Sequence, residues 1–166
     1  GAKQEALEAY HAFPQKFQSV MLATVSEQGI PHASYAPFVM DDDKNLYILA
    51  SELAIHTQDL RTTAKANVLF IDDERDSPKI FARTRLTLDC TVTEIARDTP
   101  EWTTKVNQLQ DRQGDIVGMI RQLTDFHLLQ LRPSGGRFVS SFGKIFDISN
   151  DLQTLTPVGG RKPAKQ

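Results

Sequence analysis

Apolar and polar positions alternate in short blocks along this chain, and the most informative block runs from Leu46 to Ile71. It opens with Leu46-Tyr47-Ile48-Leu49-Ala50, an apolar run too short for a helix and rich in strand-forming residues. Ser51 follows as an N-cap, with Glu52 in the first turn, where the helix dipole favours a carboxylate. Leu53, Leu60 and Ala64 then recur at near-helical spacing, and a second apolar strand, Val68-Leu69-Phe70-Ile71, begins at Asn67. A buried strand that feeds a helix N-terminus leaves backbone N–H groups free at a positive end, which suits a phosphate or a carboxylate. His56, Thr57 and Arg61 stand on or beside that turn as further donors. The same pattern also describes an ordinary strand–helix–strand connection with solvated polar residues.

Upstream, Ala6, Leu7, Tyr10 and Phe13 predict a short amphipathic helix within residues 2–18, broken at Pro14. Ser19 to Val25 reads as a strand, Glu27-Gln28-Gly29 as a turn, and Ile30 to Met40 as the returning strand of a hairpin. Pro31 and Pro37 remove ladder donors and place that strand at an edge or on a bulge. The turn Asp41 to Asn45 carries three adjacent aspartates, read as solvated rather than metal-binding.

Downstream, Lys79 to Ile95 alternates with period two. Ile80, Ala82, Leu86, Leu88, Cys90 and Val92 share a core face; Phe81, Arg83, Arg85, Thr87, Asp89 and Thr91 share the other. Arg83 and Arg85 then stand about 7 Å apart, a fork for paired carboxylates or a phosphate. Scattered charge on a solvent-facing strand is the competing reading. Asp98-Thr99-Pro100 starts a helix that carries Trp102, Val106 and Leu109 to about Gln113. After Gly114, Ile116 to Leu123 supplies a second short helix. Phe126 to Leu131 and Gly136 to Ile148 read as the last two strands, joined by a Pro-Ser-Gly-Gly turn, and residues 149–166 as a flexible tail.

Six or seven antiparallel strands with a helix inserted after the third predict a mainly β fold of α+β type, a small barrel with peripheral helices. The 166 residues suit one domain, 1–166, and the 40% apolar and 24% charged residues suit a soluble one. A net charge of −2 gives no basic field, so no nucleic-acid partner is expected. Cys90 is the one cysteine; it reads as core filler and excludes an internal disulfide. No apolar run approaches the ~20 residues of a membrane span, so no membrane insertion is expected, and a cytoplasmic address is the default. An open barrel side with Tyr35, Phe38 and the Leu128-Leu129-Gln130-Leu131 strand needing cover predicts a two-fold dimer.

Four stretches together resemble one family: LATV with GIPHASYAPF, LYILAS with HTQDL, LFIDDE with IFARTRLTL, and DFHLLQLRP with GRFVSSFGKIFDI. They are similar to the pyridoxamine 5'-phosphate oxidase-like, FMN-binding split barrels, and within these to the haem-utilisation branch of HugZ/HutZ type. The resemblance spans residues 17–162. It implies a split-barrel homodimer with two ligand sites at the interface, and a protein of iron acquisition that binds haem and degrades it oxidatively. It also implies cofactor-binding roles for Ser51, His56, Thr57, Arg83, Arg85 and Arg161, with Asp125 as a catalytic hydrogen-bonding group.

Two departures bear on the cofactor. In flavin-binding relatives a lysine in the helix after the third strand holds the FMN phosphate; here that position is His56, as in the haem branch. In the haem branch a tail histidine beside an Arg-Lys pair ligates the iron; here Gly160 precedes Arg161-Lys162, and no later histidine exists. No iron ligand is therefore assigned. Three readings follow: a haem-binding and haem-degrading oxygenase, an FMN-dependent oxidoreductase in which the same side chains cradle the phosphate, and a non-catalytic haem carrier.

Overall fold

The computed structural model describes residues 1–140 and 143–159. Helix α1, Ala2–Ala12, buries Ala6 and Tyr10. Pro14 then converts the chain to a single 3-10 turn at Phe13–Lys16. Strand β1, Ser19–Val25, alternates strictly between exposed and buried positions and turns at Gly29, φ +83°, into β2, Pro31–Pro37. Strands β3, Val39–Met40, and β4, Leu46–Ser51, follow, then helix α2, Ile55–Thr63, and strand β5, Lys65–Ile71. Next come β6, Arg85–Ile95, helices α3, Pro100–Gln113, and α4, Ile116–Ile120, and strands β7, Phe126–Val139, β8, Ile145–Ile148, and β9, Leu155–Pro157.

All pairings are antiparallel, in the order β2-β1-β5-β6-β7-β4-β3, with β8 and β9 branching from β7. The sheet curls into a half-barrel, the split-barrel form that the family resemblance implies. Inside the curl lie Val20, Leu22, Val68, Phe70, Leu86, Leu88, Leu129, Leu131 and Phe138. Trp102, Val106 and Leu109 of α3 pack on Tyr47 and Leu128 as a second cluster. Thr99 caps α3 by accepting from the Trp102 amide. The proline-flanked β2 ends the sheet order, as its missing donors require. Cys90 is core, and burial pushes its thiol up to about 12. No helix among the described residues is long and apolar enough to cross a membrane.

Five expectations are corrected. The Pro-Ser-Gly-Gly segment makes no turn, since β7 runs through it. Its register slips opposite β6 between Leu88↔Gly136 and Cys90↔Pro133, so the turn-like residues form a bulge. A Cβ at Gly136 would stand 1.9 Å from the Thr87 carbonyl oxygen, which only glycine avoids. The long strand begins at Arg85 rather than Lys79, because Ile80–Ala82 forms a 3-10 turn that leaves Phe81 97% exposed. Helix α2 begins at Ile55 behind Ala54, with no side-chain cap, and Ser51 instead ends β4. Phe38, Leu128, Leu129 and Leu131 are buried within the protomer and need no partner to cover them. Finally, residues 149–159 are no free tail: Leu152 and Leu155 are buried and β9 pairs with β8. Arg161 and Gly160 lie outside the described residues.

Candidate functional site

Period-two geometry turns His32, Ser34 and Ala36 of β2 to the side on which Val20, Leu22 and Thr24 of β1 are buried. Helix α2 packs across that end of the curl and presents His56 and Asp59, three residues apart and on one face. The result is a polar cluster buried at Asp59 and His56 and partly open at His32 and Ser34. Ser34 Oγ and His56 Nδ1 share a hydrogen bond of 2.7 Å, and His32 Nδ1 stands 2.6 Å from Asp59 Oδ2. The Thr24 hydroxyl donates to the same Asp59 oxygen at 2.8 Å. Asp59 is only 3% exposed, yet both its visitors are good hydrogen-bonding partners, as a buried carboxyl requires. Burial pushes the His56 imidazole below its ordinary value of 6.5, against the opposing pull of Asp59. His56 is thus a neutral imidazole at physiological pH.

The other expected residues of this end are close by but serve the backbone. Thr57 donates its hydroxyl to the Ser51 carbonyl. Ser51 Oγ accepts from the Leu53 amide at 3.1 Å and lies 3.4 Å from Asp125 Oδ2, while the Glu52 amide donates to the Asp125 carbonyl at 2.9 Å. Asp125 therefore braces the turn between β4 and α2.

Arg83 and Arg85 do not form a fork. Arg83 precedes the strand and folds back, its Nε and Nη2 donating to the Asp72 carbonyl at 3.0 and 2.6 Å, with Nη1 3.8 Å from Glu74. Arg85 donates through Nη1 alone, to the Arg83 carbonyl at 2.9 Å. Its remaining donors have no partner among the described residues, so Arg85 keeps capacity for an anion. The fork fails because the strand that would have aligned the two side chains starts at Arg85, two residues after Arg83.

A second cluster escapes sequence reasoning altogether. His127 sits between Glu94, 2.9 Å from Nδ1, and Glu52, 2.8 Å from Nε2. Arg61 Nε donates to Glu94 at 2.9 Å. Burial alone would raise the Glu94 carboxyl, but the His127 and Arg61 hydrogen bonds outweigh it and hold it below its usual range. Both nitrogens of His127 are engaged. For Ser34 and His32 a signal was available, namely alternation with buried β1; for His127 the two partners, Glu52 and Glu94, come from distant parts of the chain, and no local spacing announces them.

The sequence pattern of the pyridoxamine 5'-phosphate oxidase family matches residues 6–140. HutZ of Vibrio cholerae, described as a heme oxygenase, is 37% identical over 139 residues, covering 84% of this chain and 78% of the relative. The crystal structure of HutZ, there called a heme storage protein, superposes with a TM-score of 0.72 at 35% identity, over 76% of this chain and 88% of that one. Campylobacter jejuni ChuZ superposes with a TM-score of 0.84 at 28% identity, over 98% of this chain and 66% of ChuZ. With the family pattern matched over residues 6–140 and HutZ 37% identical over 84% of this chain, it belongs to the pyridoxamine 5'-phosphate oxidase family of split barrels, alongside HutZ.

Proposed function

We propose that this chain binds haem, acts in iron acquisition in the cytoplasm as a two-fold dimer, and degrades haem oxidatively. One observation carries the choice of haem over FMN. At the helix position where the flavin-binding relatives hold a phosphate with lysine, this chain has a neutral imidazole already paired with Ser34. The acidic Asp59 lies behind it. A phosphate dianion would meet no lysine there and a carboxyl group nearby, so the site favours haem over FMN. Haem makes a smaller demand. Its carboxylates need a cation at the rim, and Arg85 has donors to offer. Likeness to HutZ supports the same reading. FMN remains the second reading because the wider family match supports it.

Haem, when bound, supplies the redox chemistry; the residues here orient and restrain. Arg85 would hold a carboxylate. Asp125 would keep the Ser51 turn in place, acting as a positioning residue. His127 has no free ring nitrogen for iron, since Glu52 and Glu94 hold both. The dimer rests on the outer face of the first strands. Register aligns Tyr35, Met21 and Leu69 side by side, with Tyr35 62% and Met21 53% exposed, an apolar row that suits a second copy.

Absorbance and fluorescence titrations with haemin and with FMN test the reading. A shifted haem band, with FMN fluorescence unchanged, is expected; retained FMN and an unchanged haemin spectrum would overturn it. Ascorbate and oxygen should then bleach the haem band, whereas a steady band means that the protein carries haem without degrading it. Light scattering should give twice the 18.6 kDa of one chain, and a mass of 18.6 kDa would remove the dimer.

A further inference from the structure

His127 stands near the start of β7. Period two puts it on the same side as Leu129 and Leu131, which are buried inside the curl, and Glu94 stands on that side of β6, opposite Leu129. Helix α2 crosses this end and brings Arg61, while the turn after β4 brings Glu52. A cleft of about 550 Å³, lined in part by Glu52, Arg61 and Glu94, opens beside them. Two more charged groups flank the ring along its own strand. The Asp125 carboxylate reaches Ser51, and Arg97 donates to the Phe126 carbonyl at 3.1 Å.

This network depends on a proton count. Both ring nitrogens of His127 face carboxylate oxygens, 2.8 Å from Glu52 and 2.9 Å from Glu94. An ionised carboxylate can only accept, so both contacts are hydrogen bonds only when both nitrogens carry a proton. The charges then balance, with two carboxylates against one guanidinium and one imidazolium. A ring with a single proton sets a nitrogen lone pair against a carboxylate and leaves one excess negative charge. The two glutamates are not equally held. Arg61 Nε also binds Glu94 at 2.9 Å, whereas Glu52 has only Arg61 Nη1 at 3.9 Å and is the more exposed of the two. Glu52 is therefore the one to leave.

We infer that His127 is a proton-operated latch on the turn between β4 and α2. With two ring protons it ties Glu52 to the sheet; when the Nε2 proton passes to water, Glu52 swings into solvent and the turn loosens. That turn carries Leu53, 93% exposed, and leads into the first turn of α2, where His56 sits. The latch thus sets how firmly that helix end is held. It works with or without haem and is independent of that reading.

Amide hydrogen exchange on the full chain, with no ligand added, tests the latch at about pH 5.5 and about pH 8.5, either side of the ordinary imidazole range. The amides of Glu52, Leu53 and Ala54 report on the turn, since they donate to the Asp125 carbonyl, Ser51 Oγ and the Ser51 carbonyl. Their protection, corrected for the intrinsic pH dependence of exchange, should fall roughly tenfold from the lower pH to the higher, the scale of one lost charge-assisted contact. Glu52→Gln should abolish that fall, because its carboxamide accepts from a protonated Nε2 and donates to a bare one. Equal protection at the two pH values in the parent would overturn the latch. So would a fall of the same size in Glu52→Gln, since the turn would then answer to some other group.

Discussion

The start of α2 and the loop before β6 are both rich in donors, yet they direct them to different partners. At α2, His56 and His32 are held by Ser34 and Asp59, side chain to side chain, inside the curl. Before β6, Arg83 turns back to a backbone carbonyl in its own loop, and Arg85 follows it with a single N–H. The first region is closed upon itself and the second is half open. The difference teaches that a concentration of donors marks a ligand site only where some are left over. By that measure the helix end spends its donors within the fold, and Arg85 has donors to spare for an anion.

The largest effect should come from opening the closed region. Asp59→Ala removes the acceptor of both Thr24 and His32 and should destabilise the fold by about 3 kcal/mol, the upper end for orphaned buried partners. Denaturant unfolding measures it; a loss below about 1 kcal/mol would mean that water enters and the cluster is less sealed than its burial indicates. Next in size is the contrast between the arginines. Arg85→Ala should weaken haemin binding by about 2 kcal/mol, roughly thirtyfold in Kd, whereas Arg83→Ala should change it by less than about 0.5 kcal/mol. Equal losses in the two titrations would restore the fork.

The smallest effect is a change of slope. A base held below its ordinary value of 6.5 stays neutral in the fold, while the unfolded chain takes up a proton as the pH falls through 6.5. The contribution of His56 to stability is therefore complete above that value and declines below it. His56→Gln should flatten the acid side of the stability profile, as seen in thermal midpoints from neutral pH downward. Parallel profiles for parent and variant would show that His56 charges as easily in the fold as outside it.

Much of the scaffold was legible because it depends on near neighbours. The hairpin at Gly29, the Thr99-capped helix with Trp102, Val106 and Leu109, and the buried face of Leu86, Leu88 and Cys90 all follow from short-range periodicity. What was misread depends on a distant partner. Pro133 to Gly136 look like a turn until β6 runs alongside and makes them a bulge. Arg83 looks like strand until Asp72 captures it. Residues 149–159 look free until β8 offers β9 an edge. In the site, His56 and Thr57 were placed on the right helix, but their partners Ser34 and Ser51 were not paired with them, because the contacts cross elements.

The long strand β7 has a consequence for how the molecule is made. Its first half pairs with β4, its second half with β8, and β6 lies along both. Leu131 must find Leu46, more than eighty positions earlier in the chain. During synthesis β4 and β6 therefore wait with bare edges until β7 has emerged, and contacts so far apart in sequence form slowly. A chain cut short before Phe126 carries two unpaired apolar edges and is a candidate for aggregation rather than partial folding. The bulge that only Gly136 allows is part of that late pairing, and a side chain there would hold the β6–β7 ladder open.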